Sequence, residues 1–244
     1  SALDDGTDAL AQAPVQLTEE PAGIDSWDFA PDGSAIYFNR PDHYDESEEK
    51  RLEAGFTVDI RNPVTPLSQL YRLDLGTRAV RQLTSDPEVS VDRFEVSPDG
   101  AWIGFNGGSA ERYERNITGA GLYRDVFLME TATGTIERLT ENYEVGESGL
   151  SFSPDSRWIA FSAPDDLTRY TMTENRIYIR EAAERGGDFR KLGEDFDNSL
   201  SIDFWSEDGG TIYFNTGVKV TTQLHAVDVE TGEVRQITDE RAAL

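Results

Sequence analysis

Cysteine is absent from the 244 residues. That removes disulfides, thiol nucleophiles and thiolate metal sites together, and it leaves the compartment open. Histidine, the commonest general base, occurs only as His43 and His225. His225 falls within an alternating strand and reads as structural. His43 has no Ser or Cys partner identifiable by spacing. No Gly-x-Ser-x-Gly elbow occurs, so these residues do not encode a serine nucleophile of the α/β-hydrolase type. A phosphate-cradling Gly-rich loop and a His-Glu-x-x-His helix are missing too. No catalytic residue, no metal site and no cofactor is expected.

Positive charge is scarce: 22 basic residues face 47 acidic ones, for a formal net charge of -25. Such a surface repels phosphate, which makes nucleic acid a poor partner. It suits solubility first, and attraction of cations or basic peptides second. There is no long apolar run and mean hydropathy is -0.53, which excludes a helical membrane span. Ser1 onward lacks the charged start and apolar core of a secretory leader, so none is read there.

What the chain does have is a recurring stretch. Phe94 to Phe105 reads apolar strand, Ser97-Pro98-Asp99-Gly100 turn, apolar strand. Pro presets the first corner of a turn, Asp bonds its local backbone, and Gly takes a left-handed corner. The signal returns at Phe29–Gly33, at Phe152–Ser156 and, degenerate, at Trp205–Gly209. After each hairpin comes a third strand: Leu70–Leu73, Val126–Met129, Ile177–Ile179, Leu224–Val227. A turn follows, clearest at Thr133-Gly134 and Thr231-Gly232, and then a strand ending in Leu83-Thr84, Leu139-Thr140, Leu192 or Ile237-Thr238. Four short antiparallel strands per unit, in tandem, predict an all-β chain: a β-propeller of about four four-stranded blades. The expected spans are 24–84, 91–140, 149–192 and 200–238. A β-sandwich with coincidentally similar turns is the competing fold.

Residues 1–13 are small and acidic and read as a poorly ordered arm. Residues 14–18 match a closing strand, since Val15-Gln16-Leu17-Thr18 resembles Arg81–Thr84 and Arg235–Thr238. One closing strand is thus left over. The expectation is an open part of a larger ring, with its other blades elsewhere. Alternatively the spare strand pairs with another molecule, because an exposed edge is a template for self-association.

The larger excursions join second and third strands, which should crowd one end of the propeller, where function usually sits. Residues 41–67 are the longest. Within them, 42–53 predict a short helix, and Gly55–Ile60 look extended. Gly107 to Tyr123 form a shorter excursion containing the sequon Asn116-Ile117-Thr118. Gly107-Gly108 and Gly186-Gly187 read as turn glycines. Glu48 and Glu49 are candidate ligands for a cationic group such as a peptide amino terminus, against the alternative of a solvated face. Arg112 and Arg115 are candidate clamps for a carboxylate or carbonyl, against pairing with Glu111 and Glu114.

The motif residues Phe29–Gly33, Val96–Gly100, Phe152–Ser156 and Trp205–Gly209, each followed by an Ile-x-Phe-like strand and a Leu-Thr end, resemble a known repeat. It is shared by TolB-like proteins and by the amino-terminal propeller of prolyl oligopeptidase-family serine peptidases, of dipeptidyl and acylaminoacyl type. The resemblance covers about residues 14–239. The long unequal insertions are similar to those of the peptidase side, whose propellers usually have seven or eight blades. Gly55-Phe56 and Asp59-Ile60-Arg61 are similar to the propeller of lasso-peptide isopeptidases, a branch of that family. The resemblance implies a propeller that gates peptide entry and selects substrate for an α/β-hydrolase domain. No position here matches that family's catalytic Ser, Asp and His. The alternatives are a TolB-like periplasmic protein-binding scaffold and a purely structural module. A periplasmic or secreted location is expected, with the cytoplasm as the alternative.

Overall fold

The turn chemistry dictates the local structure. In the computed structural model, which describes residues 14–20, 23–42, 46–55, 66–109, 124–141, 145–167 and 173–239, each Ser-Pro-Asp-Gly stretch closes a hairpin. Ser97 Oγ accepts from the Trp102 N–H at 2.9 Å and donates to Asp99 Oδ1 at 2.7 Å. Asp99 Oδ1 also accepts from the Ala101 N–H at 2.9 Å. One hydroxyl and one carboxylate therefore satisfy the two amides, Trp102 and Ala101, that follow the corner. Ser153 and Asp155 repeat the arrangement, as do Ser206 and Asp208. In the first unit Ala30 replaces the serine, and Asp32 still accepts from Ser34 N–H. Gly33, Gly100 and Gly209 sit at φ of 70 to 74°, where a Cβ is disfavoured. Ser156 occupies the same corner at φ 62°.

Four sheets follow, each a meander in chain order. The first contains β1 (Ser26–Phe29), β2 (Ala35–Pro41), β3 (Ser68–Asp74) and β4 (Val80–Gln82), with helix α1 (Glu46–Glu53) between β2 and β3. The second contains β5 (Val89–Val96), β6 (Trp102–Ser109), β7 (Arg124–Glu130) and β8 (Ile136–Arg138). The third contains β9 (Ser148–Phe152), β10 (Trp158–Pro164), β11 (Asn175–Glu181) and β12 (Arg190–Leu192). The fourth contains β13 (Phe204–Trp205), β14 (Thr211–Val218), β15 (Thr221–Asp228) and β16 (Val234–Gln236).

The register repeats an aromatic pair in every sheet. Phe38 lies opposite Tyr71, Phe105 opposite Phe127, Phe161 opposite Tyr178 and Phe214 opposite His225. All four pairs are stacked, with centroids 5.0 to 5.5 Å apart. Non-local cross-strand pairs of this kind are the unit of sheet stability. His225 thus takes the place of an aromatic ring, as its strand alternation predicts.

Sheets stack face to face, and each interface is a core. Tyr37 and Leu70 of the first sheet meet Val96, Ile103 and Phe105 of the second. Leu128 meets Phe152 and Ile159. Ala160 and Ile179 meet Ile212 and Val227. Among the described residues no core cluster, hydrogen bond or ion pair joins the first sheet to the fourth. The sheets are stacked blades of a β-propeller.

Two expectations change, for Gly107-Gly108 and for the start of the helix. Gly107 and Gly108 are not turn glycines: both lie in β6, opposite Asp125 and Arg124. A Cβ on Gly107 would stand 2.5 Å from the Phe127 ring and 2.7 Å from Val89, so close packing demands the glycine. Residues 14–18 join none of the four sheets, each of which contains its own fourth strand. The helix begins at Glu46. The arm 1–13, the stretch Phe56–Ile60 and the sequon lie outside the described residues.

Candidate functional site

Because every sheet is an antiparallel meander with the same order, all β2–β3-type connections leave from the same end. That end carries α1, the excursions after β6 and β10, and the tight Lys219-Val220 turn after β14. The opposite end carries the Asp-Gly hairpins and the Thr-Gly turns. The candidate binding surface is therefore the loop end.

Its floor is polar but internally paired. In the first blade the Arg40 guanidinium lies 4.2 Å from the Tyr71 ring centroid and pairs with Glu20 at 2.7 Å. Tyr71 Oη donates to Asp42 Oδ1 at 3.3 Å, and burial pushes its hydroxyl pKa up. In the second, Arg124 pairs with Asp92 at 3.1 Å. In the third, Asp165 receives Lys191 Nζ at 2.7 Å and faces Arg176 at 3.8 Å. Tyr178 Oη donates to the Pro164 carbonyl at 2.9 Å. Burial first, and the Asp165 charge second, push the Tyr178 hydroxyl up to about 12. It stays protonated at neutral pH and serves as a donor.

A buried polar residue at the start of each third strand anchors the connection that follows. Gln69 accepts from Thr84 Oγ1 and donates to the Asp86 and Val89 carbonyls. Gln223 accepts from Thr238 Oγ1. Asp125 takes Arg138, and Arg176 donates to the Asn198 and Phe196 carbonyls. The signal was present in the sequence as a polar residue before each apolar-aromatic pair.

Glu49 stands exposed on α1 within the loop end, and Glu48 occupies the adjoining helical position. Arg112, Arg115 and His43 lie outside the described residues. His225 is buried, with Nδ1 3.1 Å from the Gln223 carbonyl, and its ring stacks on Phe214. No cluster of metal-ligating side chains occurs among the described residues. No helix among them is long and apolar enough to cross a membrane. These paired charges and buried tyrosine hydroxyls hold the bases of the loops in place.

Against known proteins, no protein-family model matches the chain. Dipeptidyl-peptidase 5 of Porphyromonas gingivalis is 24% identical over 153 residues, which is 62% of this chain and 21% of that protein. The chain thus spans about a fifth of that relative's length. Among solved structures, an oligogalacturonate lyase in complex with manganese superposes with TM-score 0.60 at 17% identity, over 93% of this chain and 56% of that one. TolB from Acinetobacter baumannii gives 0.52 at 17% identity, over 91% and 45%. Dipeptidyl peptidase 4 of Porphyromonas gingivalis gives 0.56 at 13% identity, over 88% and 32%. At such identities the likeness carries the fold and not the activity. The chain has the β-propeller fold found in TolB and in the propeller regions of dipeptidyl and prolyl peptidases.

Proposed function

We propose that these blades are the non-catalytic propeller portion of a prolyl oligopeptidase-like serine peptidase. In that role they gate and select peptide substrates for an α/β-hydrolase domain. The observation that carries the reading is the match to a dipeptidyl-peptidase over 153 residues, in a chain whose unequal insertions all emerge at one end. Peptide entry needs such a rim. Glu48 and Glu49 would hold the substrate's amino terminus, and Arg112 and Arg115 a carboxylate or carbonyl. A periplasmic or secreted location accompanies this reading.

The test uses the intact peptidase polypeptide that carries this sequence. Replacing both Glu48 and Glu49 by Gln should raise KM for peptides with a free amino terminus and leave kcat nearly unchanged, the mark of lost uniform binding. Unchanged KM sinks the glutamate assignment, and the absence of any peptidase activity in the intact polypeptide sinks the reading itself. The likeness to TolB favours a second reading, a periplasmic protein-binding scaffold, in which the same rim docks a protein and no hydrolysis accompanies it.

A further inference from the structure

Among the described residues Val15–Thr18 has no ladder partner, yet it carries the local bond of a closing strand. Gln16 Nε2 donates to the Thr18 carbonyl at 2.8 Å. Gln82 does the same to Thr84 at 2.8 Å, and Gln236 to Thr238 at 2.6 Å. In those completed sheets the threonine then reaches inward. Thr84 Oγ1 accepts from Leu70 N–H and donates to Gln69; Thr238 Oγ1 accepts from Leu224 N–H and donates to Gln223. Thr18 Oγ1 has no partner of either kind among the described residues.

The segment also lies where a preceding blade's outer strand would run. Arg78 donates to the Gln16 carbonyl at 3.2 Å, and Arg40 pairs with Glu20. Between the second and third sheets, Arg180 of β11 likewise reaches back to Glu137 of β8, at 3.2 Å. Inboard of Val15–Thr18 the front of the first sheet is bare. Trp27 is 61% and Phe29 50% exposed, whereas Val96 and Phe152, which hold the place of Phe29 in the next two sheets, are buried. An open depression of about 560 Å³ runs along the segment, lined by Gln16, Thr18, Glu20 and Ile24.

We infer that Val15–Thr18 is the fourth strand of a further blade, and that the bare face beside it takes a three-stranded antiparallel sheet of the same repeat. The third strand of that sheet carries Gln or Asp before an apolar residue whose N–H meets Thr18 Oγ1. The surface continues an interface already formed between successive sheets of this chain. The occupant is not a second whole copy. The free face of such a copy belongs to its fourth sheet, which already holds β16 where Val15–Thr18 lies. The inference rests on the propeller architecture within the proposed function and not on peptidase activity, so the two fail separately.

Residues 200–230 are strands one to three of the fourth blade. Joined ahead of Ser1 in the full chain, they supply such a sheet in the chain order of a natural blade. The amides of Val15–Thr18 should exchange freely in the parent chain and at least about tenfold more slowly in the fusion. Trp27 emission should shift to the blue, and Thr18→Val should reverse much of both effects. Residues 89–130, with Asp125 at the polar position, form a second fusion that guards against one sheet failing to form. If both fusions leave exchange and emission unchanged, the inference is overturned. Slow exchange of these amides in the parent chain, alone or as a sedimenting dimer, overturns it as well.

Discussion

Asn39 donates from Nδ2 to the carbonyl oxygen of Val91 at 3.0 Å, across the boundary between the first and second sheets. Its Oδ1 meanwhile accepts from the Ser26 N–H and hydroxyl. Asn106 repeats the contact, reaching the Glu147 carbonyl, and Ser162 reaches that of Leu200. At the fourth equivalent position, Asn215 is exposed and folds back onto Asp203 of its own sheet. A blade-to-blade clamp thus recurs until the stack ends.

The contrast between the first and last clamp is measurable. Asn39 is fully buried, so Asn39→Ala strands a buried carbonyl and should cost about 1–3 kcal/mol. Asn215→Ala should stay within about 0.5 kcal/mol of the parent, as surface changes do. Urea midpoints of the two variants decide it, and equal losses would refute the clamp.

Ser156 keeps a left-handed corner at φ 62° that its neighbours fill with glycine. Its Oγ accepts from the Asp99 N–H at 2.9 Å, tying the second hairpin to the third. Ser156→Ala keeps the strain and loses the acceptor, so a loss of about 1–2 kcal/mol is expected. Ser156→Gly relieves the strain as it loses the bond and should fall closer to the parent. Thermal unfolding should rank alanine below glycine, and the reverse order would mean that the left-handed corner carries no strain; an alanine variant as stable as the parent would mean that the bond contributes nothing.

Gly107→Ala forces a methyl against the stacked Phe127 ring, and overpacking of this kind costs about 1–3 kcal/mol. Gly217→Ala meets open space on β14 and should be neutral or slightly stabilising. Chemical denaturation of both variants gives the comparison, and a neutral Gly107→Ala would show that Phe127 yields easily.

The two kinds of carboxyl should pull stability in opposite directions with pH. Asp155 is held below the ordinary carboxylate range, first by the Ser153 hydroxyl. Its stabilisation is complete above that range and is lost as pH falls through it toward the lowered value. Glu95 is raised, because burial between the second and third sheets outweighs its bonds from Phe152 N–H and Ser151 Oγ. Its folded form binds the proton more tightly, so its contribution is full in acid and declines as pH rises through the raised value. Denaturant midpoints between about pH 3 and pH 7 should therefore gain relative to the parent at the upper end in Glu95→Gln. Asp155→Asn should lose most there and converge with the parent in acid. Parallel curves would remove both assignments.

Much of this was legible in the residue order. The four hairpins were readable because Asp, Gly and Ser act on backbone within five positions, and local chemistry survives any packing. The loop end was readable from strand parity alone. The aromatic pairs and the Asn39-type clamps recur in the chain as Phe-Asn or Phe-Ser, yet nothing local says which sheet they face. The Glu48 and Glu49 placement was visible only as helical spacing near a long connection.

The amino-acid sequence by itself determined the repeat and the turn chemistry, since each depends on residues close in the chain. Only the tertiary structure decided that Gly107 is a packing glycine, that Ser156 ties two hairpins together, and that Val15–Thr18 lies unpaired beside a bare face. Those properties belong to neighbours some tens of residues away, and the stacking of sheets alone brings them within reach.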